Sequence, residues 1–445
     1  MPVNTSERRN VRVVITGIGL ITPLGNSKEA LWQNLSNGRS GVGPITSLPP
    51  DALPVNFAAE ARDFSGHVDN FGPLEGEQKK QVRKGLKIMC RECQMGVAAA
   101  QLALGDARLG LGKCDPDRTG VVFGSDYMLT MPDEFTAGVV DCLDDAGQFH
   151  FSRWATQGMS KMNPLWLLKY LPNMPASHIA IYNDLRGPNN SLTHREASGN
   201  LAVGEAFRVI VRGHADAMIA GATGTRVHPM KAVHAALAER LAEGGDDPTQ
   251  AARPFDLHRG GMVLGEGAGA VVLESLESAE KRGATIYGEV VAAASSAVSG
   301  RDLTADCTLA LANSMRAALR EARLTPQHVG HLHAHGLGTR HSDVYESRAV
   351  RDVFGQQADH VPVTAAKSYF GNLGAGGGLV ELIASTLALK HRQLFPVLNY
   401  KTPDPDCRLN VVAAAPGDPG DNCMNLSFTP QGQASCVIAR RFGES

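Results

Sequence analysis

The chain has 445 residues, 43% hydrophobic and 20% charged, with 43 Lys+Arg against 45 Asp+Glu for a formal charge of -2. That length corresponds to about three domains of ~150 residues, or to one large duplicated domain, and it buries a large core, which excludes disorder and fibrous structure. The balanced charge excludes a summed positive field able to hold nucleic acid or an anionic membrane.

The opening residues 1–14 carry charge but no apolar run long enough for a signal peptide, and no later stretch approaches ~20 apolar residues. A cytoplasmic protein without a membrane span is expected. Eight cysteines are sparse for this length and imply no disulfide framework.

Residues 11–15 (VRVVI) predict a buried strand running into a tight turn at Thr16-Gly-Ile-Gly, and residues 27–35 a helix stopped by Asn37-Gly38. The run 85–104 reads as helical. Its Cys90-Arg-Glu-Cys93 has the CxxC spacing but no second pair to complete a metal site, so a buried structural role is expected. Further strands are predicted at 120–123, 217–220, 268–273, 286–292, 331–335, 361–364, 424–428 and 435–439. Between them, Leu311, Met315, Leu319 and Ala322 keep helical spacing, as do Leu379, Val380, Ile383 and Leu387. Strands separated by helices predict sheets covered on both faces, in one fused unit. The stretches 242–250 and 401–407 read as surface loops.

Glycine-rich turns raise the question of nucleotides. Thr16-Gly-Ile-Gly lacks the third glycine of the dinucleotide fingerprint and the lysine of a P-loop, and Gly265-Glu-Gly-Ala-Gly269 precedes a strand, where glycines permit close backbone packing. Three polar loops stand out instead. Residues 192–199 (LTHREASG) place Glu196 at the start of an apolar-periodic helix. Strand alternation puts His331, His333 and His335 on one side, which suggests zinc. Residues 366–375 carry Lys367 and Asn372 through glycines into a helix.

These residues resemble the β-ketoacyl-ACP synthases, especially the elongating enzymes and polyketide ketosynthases. The likeness rests on VITGIG from Val14, LRGP from Leu185, GHADAMIAGA from Gly213, RPFD from Arg253, GEGAG from Gly265, Ala334-His-Gly336 with Thr339 and Asp343, and Lys367-Ser with Gly371. The resemblance implies a thiolase fold: an α/β protein of two similar halves, 11–258 and 259–445, stacked as five layers α-β-α-β-α. It implies a homodimer or a ketosynthase heterodimer, an acyl carrier protein or CoA thioester as partner, and no metal or organic cofactor. It demotes zinc, because one family histidine matches His335 and leaves His331 and His333 as packing residues.

The family uses a cysteine and two histidines. At the matching positions this sequence has Glu196, His335 and Asn372, with the family lysine at Lys367, and the gating Gly-Phe-Gly-Gly loop reads Thr429-Pro-Gln-Gly432. A carboxylate replaces a thiolate poorly as an acyl carrier, since its acyl form is a hydrolysable anhydride. Ordinary acyl-cysteine condensation is therefore not expected.

Glu196 faces two opposed effects. A helix N-terminus favours the anion by up to ~2 kcal/mol, whereas full burial raises a carboxyl by ~3 to 5 units. Neutral, it would place a carbonyl near oxyanion-stabilising amides; ionised, it would pair with His335 or act as a general base. Asn372 keeps donors without proton transfer. Lys367 either lends charge to the site or forms a salt bridge to Glu381.

Two functions follow from these alternatives: decarboxylation or hydrolysis of an acyl- or malonyl-thioester by Glu196, His335, Asn372 and Lys367, or a non-catalytic subunit resembling a chain-length factor. Lys79, Lys80, Arg83, Lys84 and Lys87 form the densest cationic run, read as a solvated helix face or as a carrier-protein patch.

Overall fold

In the computed structural model, which describes residues 11–49, 54–74, 76–414 and 417–443, one mixed sheet of eleven strands runs through the molecule. The charged start, residues 1–10, lies outside the described residues. The strands are β1 (Val13–Ile21), β2 (Thr119–Ser125), β3 (Asn189–Thr193), β4 (Ala217–Thr225), β5 (Glu266–Ser275), β6 (Gly288–Ala297), β7 (His331–His333), β8 (Pro362–Thr364), β9 (Asn410–Val411), β10 (Asn422–Phe428) and β11 (Gln433–Arg440). Their order is β9-β8-β7-β10-β11-β6-β1-β5-β4-β2-β3.

That order contains one pattern twice. In the first half β1 pairs antiparallel with β5, β5 antiparallel with β4, and β4, β2 and β3 continue in parallel. In the second half β6 pairs antiparallel with β11, β11 antiparallel with β10, and β10, β7 and β8 continue in parallel. The halves join where β1 meets β6, Val13 opposite Val290. β5 lies past the 258/259 division expected from the sequence and pairs on both sides with first-half strands.

Burial makes the layers. Helices α1 (Lys28–Ser36), α2 (Gly76–Gly85), α3 (Arg91–Ala107), α4 (Met174–Asn183), α5 (Ser198–Val211), α6 (Pro229–Ala238), α7 (Cys307–Ala322), α8 (Arg340–Phe354) and α9 (Gly377–His391) pack on the strands. Val203, Phe207 and Ile210 of α5 and Leu379, Val380 and Ile383 of α9 share a core with β1, β5 and β6, forming the middle layer. Residues 377–389 of α9 are buried on every side, as a helix packed between the two halves of the sheet must be. α3 covers the outer face of the first half and α7 with α8 that of the second, which completes the five layers α-β-α-β-α.

The first strand corrects the expected tight turn. β1 continues through Thr16-Gly-Ile-Gly to Ile21, with a register shift between Ile15 and Gly17. Its glycines serve close approach to α3: a Cβ on Gly19 would lie 2.1 Å from the Ala99 carbonyl oxygen, and one on Gly17 2.4 Å from that of Ala103. Gly265 has the expected packing role, since a Cβ there would meet Phe370 O at 2.4 Å. α1 starts at the predicted place because the Ser27 side chain accepts from Ala30 N–H.

Candidate functional site

Glu196 owes its position to a strained turn. Between β3 and α5, a single 3-10 turn (Arg195–Ala197) carries Arg195 at φ 49°, a left-handed conformation that side chains adopt only under constraint. The turn drives Glu196, 3% exposed, inward at the start of α5. The His194 N–H donates to Ser198 Oγ (2.8 Å) and fixes the entry to the helix.

Glu196, His335 and Asn372 line one cleft of about 210 Å³, together with Arg195, Arg226, Met262, Cys307, Thr339 and Phe428. Three of the four sequence-predicted site residues thus converge. Lys367 does not line the cleft. It lies behind His335, its Nζ 2.5 Å from Glu381 Oε1 and 3.3 Å from His335 Nδ1, so the Glu381 salt bridge is present.

The partner of Glu196 is Arg226, not His335. Arg226 Nη2 donates to Glu196 Oε1 at 2.5 Å, and Asn372 Nδ2 donates to the same oxygen at 3.1 Å. Arg226 Nη1 stands 2.8 Å from Asp126 Oδ2, and Asp126, Arg226 and Asn372 are each 2% exposed or less. Burial alone would raise the Glu196 carboxyl, but the Arg226 and Arg195 charges and the Arg226 hydrogen bond overcome it and hold it well below the ordinary carboxylate range. Of the two protonation states open in the sequence, the geometry selects the anion. Its other oxygen, Oε2, has no hydrogen-bond partner and lies 3.6 Å from Arg195 Nε.

Arg226 and Asp126 are the residues that sequence reasoning missed. Each is the first residue past the carboxyl end of an apolar strand, β4 and β2, and these strands are parallel neighbours, so the two side chains emerge side by side. A charge directly after a buried strand was the available signal.

His335 lies beyond the end of β7 rather than on it, in a loop held by α8. Glu346 accepts the backbone N–H groups of His335 (2.6 Å) and Gly336 (2.9 Å), while Asp343 accepts those of Gly338 (3.0 Å) and Phe255 (2.8 Å). Burial pushes Glu346 up to about 8 despite those two donors. Burial first, and the Lys367 charge second, keep His335 neutral well below its ordinary value. Lys367 can only donate, so His335 Nδ1 accepts and Nε2 carries the ring proton.

The other two histidines are engaged in packing. His333 Nε2 accepts from Ala366 N–H (3.1 Å), so its Nδ1 donates to Ser385 Oγ (2.8 Å). Ser385 also contacts His331 Nε2 at 3.0 Å, and His331 Nδ1 lies 2.8 Å from Pro419 O. Among the described residues no group of three or more His, Cys, Asp or Glu side chains is arranged to hold a metal ion.

Cysteine chemistry is confined by burial. Cys307 is the thiol that lines the cleft, and burial raises its pKa while its Sγ approaches Thr429 O at 3.6 Å. Cys90 occupies the N-cap position of α3, with its thiol pushed up to about 11, and Cys93 is buried in the first turn. Arg195 Nη1 donates to Gln431 Oε1 (3.1 Å) of the Thr429–Gly432 loop. On α2, Lys79 pairs with Asp69 and Lys80 with Glu77, while Lys80, Arg83 and Lys84 face solvent; none of them lines the cleft.

Two repeats of one α/β topology, stacked in five layers with a buried polar cleft at the start of a central helix, define a thiolase-type fold. The beta-ketoacyl synthase N-terminal domain matches residues 10–279 and the C-terminal domain matches residues 287–401. The chain belongs to the beta-ketoacyl synthase family. It is 35% identical over 410 residues to a 3-oxoacyl-[acyl-carrier-protein] synthase 2 from Synechocystis sp. (strain ATCC 27184 / PCC 6803 / Kazusa), spanning 90% of this chain and 91% of that one. The solved ishigamide ketosynthase/chain length factor superposes with a TM-score of 0.82 at 28% identity, over 97% of this chain and 100% of that one. A solved type II PKS acyl-carrier protein in complex with its ketosynthase, AntDE:AntF, gives 0.78 at 26% identity, over 97% and 100%. Among the described residues no helix is long and apolar enough to cross a membrane.

Proposed function

We propose that this chain is a non-condensing ketosynthase-fold subunit of fatty acid or polyketide assembly, which pairs with an active ketosynthase and handles chains on an acyl carrier protein. In this reading Glu196 stands where active relatives carry their cysteine, and the two halves divide after residue 275. The single observation that carries the reading is the buried Asp126–Arg226–Glu196 array, closed by Asn372.

An acyl group on Glu196 requires the carboxylate to leave Arg226. That breaks a buried ion pair and leaves the 1% exposed guanidinium with Asp126 as its single carboxylate before any chemistry begins. A carboxylate held below its usual range is also a weaker base and nucleophile. The Asn372 donor that would polarise a thioester oxygen is already engaged by Glu196.

One arrangement favours a second reading, thioester decarboxylation or hydrolysis. His335 remains in the cleft as a neutral ring with its proton on Nε2, a donor suited to a thioester oxygen or an enolate. The test is to incubate the chain with malonyl- and acyl-carrier protein, alone and with a candidate ketosynthase partner, and to follow intact carrier masses. The subunit reading expects unchanged carriers without the partner and extended chains with it. Loss of carbon dioxide or free acid from the chain alone would replace it with the second reading.

A further inference from the structure

We propose that the cleft floor is a built carboxylate-binding site, formed by Arg226 and Asn372 and filled in cis by Glu196. This deepens the subunit reading by giving residue 196 the task of supplying a charge rather than carrying an acyl group.

The binding groups are fixed independently of their occupant. Asp126 anchors one end of the Arg226 guanidinium at 2.8 Å, and the Arg226 backbone N–H donates to Gly265 O at 2.8 Å. Asn372 is held by its own backbone, with its N–H on Val263 O (2.8 Å) and its carbonyl accepting from Gly265 N–H (3.1 Å), while its Oδ1 accepts from Gly374 N–H (3.0 Å). Two donors therefore remain aimed at one point when the Glu196 side chain is removed. The 14-residue α5 begins at the same place and adds its N-terminal dipole.

Charge and shape identify the occupant. Asp126 and Glu196 balance Arg226 and Arg195; without Glu196 one positive charge is left over at the cleft. Both donors converge on Oε1, while Oε2 and Arg195 Nε are buried without hydrogen-bond partners and face one another at 3.6 Å. A planar anion with two oxygens suits that arrangement, so a small monocarboxylate such as acetate or formate fits the vacated site.

The test uses the chain alone, so its failure leaves the chain-extension assay untouched. Purified E196A is melted in sodium acetate and in sodium chloride at equal ionic strength, beside wild type, E196Q and E196A/R226M. The site predicts a saturable, acetate-specific rise of about 2 °C or more in E196A alone, because a ligand bound only to the folded state stabilises it by mass action. No acetate-specific rise in E196A, or an equal rise in E196A/R226M, overturns the proposal. If E196A does not fold in chloride, recovery of soluble folded protein in acetate supports the site, and equally poor recovery in both salts overturns it.

Discussion

Replacing Arg226 with methionine keeps most of the side-chain volume and removes the charge between two buried carboxylates. In the wild type the guanidinium lies 2.5 Å from Glu196 Oε1 and 2.8 Å from Asp126 Oδ2. Removing one member of a buried ion pair costs about 3–5 kcal/mol at neutral pH, because the groups left behind lose their compensation. Urea denaturation should show this as a lower midpoint at unchanged slope.

The pH dependence carries the sharper signature. In the wild type Glu196 has a depressed pKa, so its contribution is complete above the unfolded carboxyl value of about 4.3 and is lost only as pH falls below it. In R226M burial acts on the Glu196 carboxyl without the Arg226 charge and raises it, so the folded variant takes up a proton and gains stability as pH falls from about 7 to 5, at up to ~1.4 kcal/mol per proton per pH unit. The gap between the proteins should narrow on acidification. E196Q/R226M should be less destabilised than R226M at neutral pH, a coupling that a double-mutant cycle isolates. A loss in R226M below about 1 kcal/mol that does not change with pH would refute the reasoning.

Lys367→Met should cost about 3–5 kcal/mol in urea denaturation by leaving Glu381 buried and unpaired, and less at low pH, where that carboxyl takes a proton. Gly19→Ala should cost about 1–3 kcal/mol by the same measurement, because the added carbon would lie 2.1 Å from Ala99 O and α3 must move away. Ser385→Ala should cost about 1–3 kcal/mol, since it strips the shared partner from His331 and His333. Mass mapping after iodoacetamide at neutral pH should find Cys93, Cys423 and Cys436 unmodified until the protein is unfolded, given their burial and raised thiol pKa values.

The strands of the two repeats were legible because strands buried on both faces read as nearly continuous apolar runs, as in β1, β5 and β10. β3 was not legible. Its sequence NNSLT is polar and half exposed, and its strand conformation comes from pairing with β2. The glycines of β1 misled for a related reason: turn chemistry and close approach of a helix leave the same local signature, and only the position of α3 separates them.

At the site, the positions of Glu196, His335 and Asn372 followed from loops that leave strands or enter helices, which is local information. The ionisation of Glu196 did not. It depends on Arg226, thirty residues further along the chain, and on the adjacency of β2 and β4, and no spacing rule connects those segments. Lys367 and Glu381 were nameable as a pair because Glu381 lies within the mostly apolar first three turns of α9, where a buried carboxylate needs a cation.

The central claim is that residue 196 carries a permanent, arginine-paired negative charge. The most direct measurement is the side-chain carboxyl carbon resonance of Glu196 in protein labelled with 13C at glutamate, assigned by its loss in E196Q and followed from about pH 8 down to about pH 5. The account predicts a carboxylate shift that does not move across that range; a resonance that titrates within it would show a raised carboxyl and contradict the account.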